Sequence, residues 1–385
     1  LEHYDELSDH IKVETKDPDL YPKFTSQYTD QTVAANSVIV VCGDKSKVVS
    51  NSDMWETSTN YQTYQTQTTG FDGEGQITSA ITYVTSENNP KVYWVTGHGE
   101  ASESDLSTNF SDAVNKNNVE ISDLALMTDD IPEDAEELVI MSPTTDFSED
   151  EANKVITYLE NGGKLLMFTS YTGTDMPNLD SILENYGVKR SSGIVVETDS
   201  QHYYPQMPYY LLPNIQSDDI TTEVKTNYIL MPVAQAIQKL DSYRDTITIK
   251  SLLTTTEDAY IENDPENSTW SKSADSETGA FDLGVSITET VDDKETQIIY
   301  FSSASMLSSQ IDQAISGANS KLAATALTSM CDVEQTVVIP SKSTSYTNLV
   351  FTQGAVNTWS IITIAGIPLV LVVIGVMIWM KRRKQ

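Results

Sequence analysis

Between Pro90 and Tyr186 the apolar residues fall alternately into short uninterrupted runs and helical stripes. The runs "VYWVT" (Val92–Thr96), "LVIM" (Leu138–Met141) and "KLLMF" (Lys164–Phe168) predict strands, with a weaker one over Val119–Leu126. Between them the 3.6-residue period predicts helices over Asp105–Lys116, Ser148–Asn161 and near Leu179–Tyr186. The Ser148–Asn161 helix carries the fullest set of signals. Ser148 and Glu151 make a capping box, Ala152, Val155, Ile156 and Leu159 share one face, and Gly162-Gly163 stops it. Wholly apolar strands alternating with helices predict a parallel sheet covered on both faces. The expectation is a flavodoxin-like or Rossmann-like domain over about Asn89–Val196.

Upstream, residues 1–50 alternate between helix and strand signals, "LEHYDELSDH" then "IKVETKD", followed by a Pro-rich loop. A hairpin is predicted with strands Ser37–Cys42 and Lys47–Val49 turning at Gly43-Asp44. The Thr/Tyr/Gln-rich stretch "ETSTNYQTYQTQTTGFDGEG" is barely apolar and predicts an exposed loop. Ile77, Ala80, Ile81 and Val84 then form the stripe of a packing helix that ends at Asn88-Asn89-Pro90. The chain opens on Leu1 inside a helical pattern, so it is expected to be a fragment of a longer protein.

Downstream of Val196 the pattern loosens. "YYPQMPYYLLP" (Tyr203–Pro213) is aromatic and Pro-rich, with loop-to-core packing favoured over a carbohydrate platform. Strands are predicted at Thr246–Thr254, Leu283–Glu289 and Gln297–Phe301, a long polar loop between the first two, and a helix at Ser320–Met330. A Ser/Thr-rich linker follows at Ser341–Asn348.

Trp359–Met380 contains no charge and is apolar on every face. About 20 such residues are what a helix needs to cross a bilayer core. Trp359 and Trp379 fall near the two interfaces, and Pro368 is tolerated inside a membrane helix. Lys381, Arg382, Arg383 and Lys384 follow at once, which by the positive-inside rule puts the C-terminus in the cytoplasm and the body outside.

The formal charge is −33, with 56 acids against 23 bases. So acidic a body excludes nucleic-acid binding, which depends on Lys and Arg neutralising phosphates. The two cysteines, Cys42 and Cys331, belong to no CxxC pair. A long-range disulfide and two buried free thiols both remain open.

Candidate chemistry centres on "TGHGEASESD". Two glycines of a GxGxxG pattern are present, but Glu100, Glu103 and Asp105 crowd the next helix N-terminus and would repel a phosphate. His98 and Glu100 are two candidate ligand or acid–base groups at the carboxyl end of a strand, where open α/β sheets bind ligands. None of the four histidines has a metal-ligand spacing, and no metal or other cofactor is expected. Ser142 follows the LVIM strand without the glycines of a nucleophile elbow. No complete catalytic constellation is found, so the chain is expected not to be an enzyme. The conformational reading of the His98/Glu100 turn outweighs the chemical one.

"IKVETKDPDLYPKF", "GQITSAITYVTSENNPKVYWVTGHGE", "LVIMSPTTDFSEDEANKVITYLENGGKLLMF" and "IPLVLVVIGVMIWMKRRKQ" together resemble the GldG-like family. These are auxiliary, substrate-binding-like components of ABC-2-type transport systems. The resemblance implies an extracytoplasmic accessory subunit anchored in the cell membrane beside an ABC-2-type permease and a cytoplasmic ATPase, and carries no catalytic residues over. It implies an α/β fold: a partial thioredoxin-like domain at 1–70, then a glutamine-amidotransferase-like domain with a mostly parallel sheet and C-terminal extension at 71–340. A linker (341–358), a transmembrane helix (359–380) and a cytoplasmic basic tail (381–385) complete the division. The alternative is a membrane-anchored surface hydrolase or glycan-binding protein using the His98/Glu100 loop.

Overall fold

The structure, a computed structural model, describes residues 1–29, 32–60, 65–86, 89–266, 269–331, 339, 342–343 and 351–383. Nearly all of the predicted Ser/Thr-rich linker and the end of the basic tail, including Lys384, lie outside the described residues. The chain forms two compact units, one of residues 1–89, 116–118 and 334–346, the other of the remainder.

In the first unit, helix α1 (Glu2–Leu7) precedes the hairpin of β1 (Val38–Cys42) and β2 (Lys45–Val49). The hairpin falls where the sequence predicts it, because Gly43 takes the positive φ (+59°) that a two-residue turn demands. "IKVETKD" is not a strand, having no ladder to join. The Thr/Tyr/Gln-rich stretch is not a loop. It forms β3 (Trp55–Asn60) and β4 (Gln65–Phe71), an antiparallel pair that Lys342–Ser343 extends. β-Branched and aromatic residues satisfy a ladder without supplying a core, which a reading by hydrophobicity misses. Helix α2 (Gly73–Thr85) buries Ile77, Ala80 and Val84, as its stripe predicts, and packs on β1 and β2 within this unit.

The second unit is built on β5 (Lys91–Val95), α3 (Thr108–Lys116), β6 (Glu120–Leu124), β7 (Glu137–Met141), α4 (Glu149–Glu160), β8 (Lys164–Phe168) and α5 (Pro177–Asn185). Strands follow at β9 (Val188–Val196), β10 (Tyr203–Tyr204), β11 (Met207–Leu211), β12 (Asn214–Ile215), β13 (Met231–Pro232), β14 (Gln235–Lys239), β15 (Ile247–Thr254), β16 (Tyr260–Glu262), β17 (Asp282–Val291) and β18 (Lys294–Phe301). Helices α6 (Ser309–Ala314) and α7 (Ala318–Met330) close the body.

The fold is mixed α/β. At its centre five parallel strands run in the order β6-β5-β7-β8-β18. By order of appearance that is 2-1-3-4-5, a doubly wound arrangement. Alternate residues divide between two cores. Leu138, Ile140, Leu165 and Met167 meet α4 and α5 on one face, whereas Val139, Met141, Leu166 and Phe168 join α3 and α7 on the other. Burial on both faces is why these strands read as unbroken apolar runs.

Beyond β18 the sheet continues antiparallel through β17, β14, β9 and β16, with β15 also on β17. The apolar pattern does not predict β9 or β14, because polar residues (Ser191, Arg190, Gln235) sit among the buried ones. The fifth parallel strand therefore arrives only after a long insertion. "YYPQMPYY" contributes β10 and β11 to a small antiparallel sheet with β13. Its tyrosines are half-buried, and Tyr209 packs on Trp270 at 4.4 Å.

The terminal helix runs unbroken from Gln353 to Arg383, 31 residues, longer than the predicted span. At 1.5 Å per residue it is about 46 Å long, more than a ~30 Å hydrocarbon core requires. Its first turns are held to the body: Thr352 caps Ala355 N–H, Gly354 N–H donates to Ser200 O (2.7 Å), and Gln206 N–H donates to Gln353 Oε1 (2.9 Å). A π-turn at Ile362–Gly366 immediately precedes Pro368, which removes one helical N–H donor. Trp359 and Trp379 are exposed, and Arg383 lies over the Trp379 ring at 5.2 Å. Lys381 and Arg382 continue the last turn. The two cysteines are not joined: Cys42 is exposed and Cys331 is buried, so there is no disulfide between them and only one of the two thiols is buried.

Candidate functional site

In a 2-1-3-4-5 sheet the connections leave the first strand in opposite directions, which opens a crevice at the carboxyl ends of the first and third strands. Here those are β5 and β7. The loop after β5 carries His98 and Glu100, and the loop after β7 carries Ser142 to Phe147. The structure thus places the candidate pair at the switch point.

What the pair does there is set by a partner 53 residues away. His98 is buried, and its Nδ1 lies 3.1 Å from Glu100 Oε1 while Nε2 lies 3.2 Å from Glu151 Oε2. His98 N–H also donates to Glu100 Oε2 (2.7 Å). The same Glu151 oxygen accepts from Ser148 N–H (2.9 Å) and Oγ–H (2.7 Å), completing the capping box of α4. The Phe147 ring packs on the imidazole at 4.3 Å. Burial works to raise the Glu151 pKa, but the Ser148 bonds and His98 outweigh it and hold that pKa below the usual carboxylate value.

The backbone of the turn is equally committed. His98 O accepts from the N–H groups of Thr144 (2.9 Å) and Thr145 (3.0 Å) and from both threonine hydroxyls (3.2 Å each). Gly99 has φ +77°, and a Cβ there would strike Thr144 Oγ1, so only glycine lets the two loops meet this closely. These bonds form a latch at the crevice: the β5 loop, the β7 loop and the N-terminus of α4 are tied through one histidine. Among the described residues no group of three His, Cys, Asp or Glu is arranged to hold a metal ion.

Ser142, the other residue singled out after a strand, has φ +54°, an uncommon conformation for serine. Its hydroxyl donates to Ser170 Oγ (2.8 Å). No histidine or carboxylate bonds to it among the described residues, so the pieces of a nucleophilic site are not assembled.

One strand further along the carboxyl edge lies a feature the sequence did not disclose. The loop after β8 (Tyr171–Asp175), Asp180 of α5, Arg190 of β9, Gln235 of β14 and Asn263 beyond β16 enclose a polar pocket of about 330 Å³. Arg190 is only 7% exposed and donates through Nε to Asp180 Oδ1 (2.6 Å) and through Nη1 to Gln235 Oε1 (3.4 Å). These residues span more than 90 positions and share no motif. The one local hint is an arginine between the apolar Val188 and Ile194.

Elsewhere buried polar groups are spent on the fold. Asp312 accepts from Ser107, Asn109 and Ser320 and joins the start of α3 to α7. Glu137, wholly buried, accepts from Cys331 Sγ (3.3 Å), and among the described residues its other oxygen has no hydrogen-bond partner. Burial raises its pKa well above the usual carboxylate value.

An α/β body with a doubly wound parallel centre, held to one long apolar helix at the C-terminus, defines a membrane-anchored protein whose bulk is not in the bilayer. Residues 89–329, well over half of the chain, match the family of ABC-type uncharacterized transport system auxiliary components, and the chain belongs to that family. It is thus an accessory subunit of an ABC transporter, associated with other components of that system. No curated protein matches the sequence. Among solved structures, the chain is similar to the mmIFT52 N-terminal domain at 15% identity and TM-score 0.46, covering 62% of this chain and 96% of that one. It is also similar to a putative ThuA-like protein from Parabacteroides merdae (12%, TM-score 0.37, 69% and 99%). An exo-β-1,4-mannosidase from an Opitutaceae bacterium gives 10%, TM-score 0.32, and 66% and 37% of the two chains.

Proposed function

We propose that the chain is a non-catalytic accessory subunit whose acidic body stands outside the cytoplasm, contacts an ABC-2-type permease and serves a cytoplasmic ATPase through it. The observation that carries this is the unbroken helix Gln353–Arg383, fastened to the body at one end and closed by Lys381, Arg382 and Arg383 at the other. Basic residues flanking a span stay cytoplasmic. Trp359 and Trp379 are its interfacial anchors, and Pro368 sits inside it just after the π-turn. A GldG-like specialisation, a thioredoxin-like remainder at 1–70 and an amidotransferase-like domain at 71–340 are the finer readings, and they rest on the sequence resemblance.

The non-catalytic reading is supported by the latch, since His98 and Glu100 spend their polar atoms on Glu151, on each other and on the β7 loop. The competing reading, a hydrolase or glycan-binding protein using those two residues, needs the latch to open. Purification of the native complex from membranes tests the partners: the permease and ATPase are expected to co-purify, and their absence at native expression would overturn the proposal. Exposed Cys42 is a built-in reporter of sidedness. A membrane-impermeant maleimide should label it in intact cells, and labelling only after lysis would reverse the orientation.

A further inference from the structure

We infer that the pocket between the β8 loop, α5 and β9 is a binding site for a neutral, hydroxyl-rich ligand of the saccharide class. The first ground is an unfinished arginine. A guanidinium carries five N–H donors in a fixed plane, and Arg190, nine-tenths buried, gives one to Asp180 and one, long, to Gln235. No other acceptor meets it among the described residues. Arg190 lines the pocket, so the N–H groups it does not spend on Asp180 and Gln235 are available to an acceptor there.

Charge decides which acceptor. Beside Arg190 the same pocket presents the carboxylates of Asp180 and Asp175, in a protein of formal charge −33. A phosphate or carboxylate would gain one guanidinium and face two carboxylates. A cation would face Arg190. A hydroxyl group meets both demands, accepting from the Arg190 N–H groups while donating to Asp180 Oδ2, which has no bond among the described residues. Vicinal hydroxyls repeat that pairing along the Asp180–Arg190 pair, and Asn263, whose Oδ1 already accepts from Ser192, adds its amide N–H donors. Tyr171, half-buried, also lines the pocket and brings an aromatic ring against which the C–H side of a pyranose can pack. A volume of about 330 Å³ lies at the small end of ligand sites, the size for one or two sugar rings rather than a polymer.

The inference concerns the body alone and does not depend on the permease, so binding can fail while co-purification succeeds, and the reverse. The test uses the full chain in lipid nanodiscs, since glycoside detergents would compete. Glucose, galactose, mannose, N-acetylglucosamine, maltose and lactose, with glucuronate and inorganic phosphate, are titrated by saturation-transfer NMR and calorimetry. Saturable binding of at least one neutral sugar is expected, weakened about tenfold or more by Arg190→Lys, which keeps the charge but loses the fork. Tyr171→Ala and Asn263→Ala cover the case in which Arg190→Lys does not fold, and each should weaken binding several-fold with the melting temperature unchanged. Silence of every neutral sugar up to about 50 mM, binding confined to glucuronate or phosphate, or binding indifferent to both of these variants would each overturn the assignment.

Discussion

Removing the imidazole at position 98 should destabilise the whole α/β body rather than silence one loop. In the folded chain the Glu100 and Glu151 side chains are 2% and 4% exposed, and His98 lies between them. His98→Ala takes away the ring and leaves two carboxylates buried with no group between them. A buried acceptor left without its donor costs roughly 1–3 kcal/mol, and more when it carries charge. The four bonds to His98 O survive the substitution and Glu151 keeps its bonds from Ser148, so about 3 kcal/mol is expected for the two carboxylates together. In a domain of this size 1 kcal/mol moves the melting temperature by about 2–4 °C, which gives a fall of roughly 6–12 °C. Differential scanning calorimetry of the full chain measures it. A double-mutant cycle with Glu151→Gln should return a coupling of about 0.5–3 kcal/mol. A fall under about 2 °C, or strict additivity in the cycle, would refute the latch. So would an unchanged melting temperature accompanied by loss of a ligand, which would return His98 to the role of a binding residue.

Two pH dependences of opposite sign follow from buried acids. Glu151 has its pKa lowered by folding, so its stabilisation is present above the ordinary carboxylate value of 4.5 and is lost as pH falls through and below it. Melting temperature against pH should therefore decline more steeply on the acid side in the wild type than in Glu151→Gln. Glu137 has its pKa raised, so the folded state holds a proton that the unfolded chain gives up as pH rises past 4.5, and stability drains away with increasing pH. Glu137→Gln should raise the melting temperature at pH 8 relative to wild type, with a smaller difference at pH 5; a uniform loss at both would overturn this. Gly193 lies in β9 with the Glu262 carbonyl and Asn263 Cα against the place a Cβ would occupy. Overpacking of this kind costs about 1–3 kcal/mol, so Gly193→Ala should lower the melting temperature and push β16 from β9, visible as faster amide exchange at Tyr260–Glu262.

Period and composition alone were enough for the parallel core, the capped α4 helix and the membrane span. Each is a local decision: a strand buried on both faces must be apolar at every position, a helix start needs its cap three residues away, and a bilayer demands some twenty residues without charge. His98 and Glu100 were legible as a pair at a strand end for the same reason. Their meaning was not, because Glu151 completes the arrangement from 53 residues further on, and a capping glutamate in sequence does not disclose a second partner. The antiparallel half of the sheet also escaped, since Arg190, Ser191 and Gln235 interrupt the apolar pattern of β9 and β14. Those interruptions are where the pocket is. A strand that turns polar side chains into a cavity loses the periodicity by which strands are recognised, so tertiary structure alone could show that Asp180, Arg190, Gln235 and Asn263 face one another.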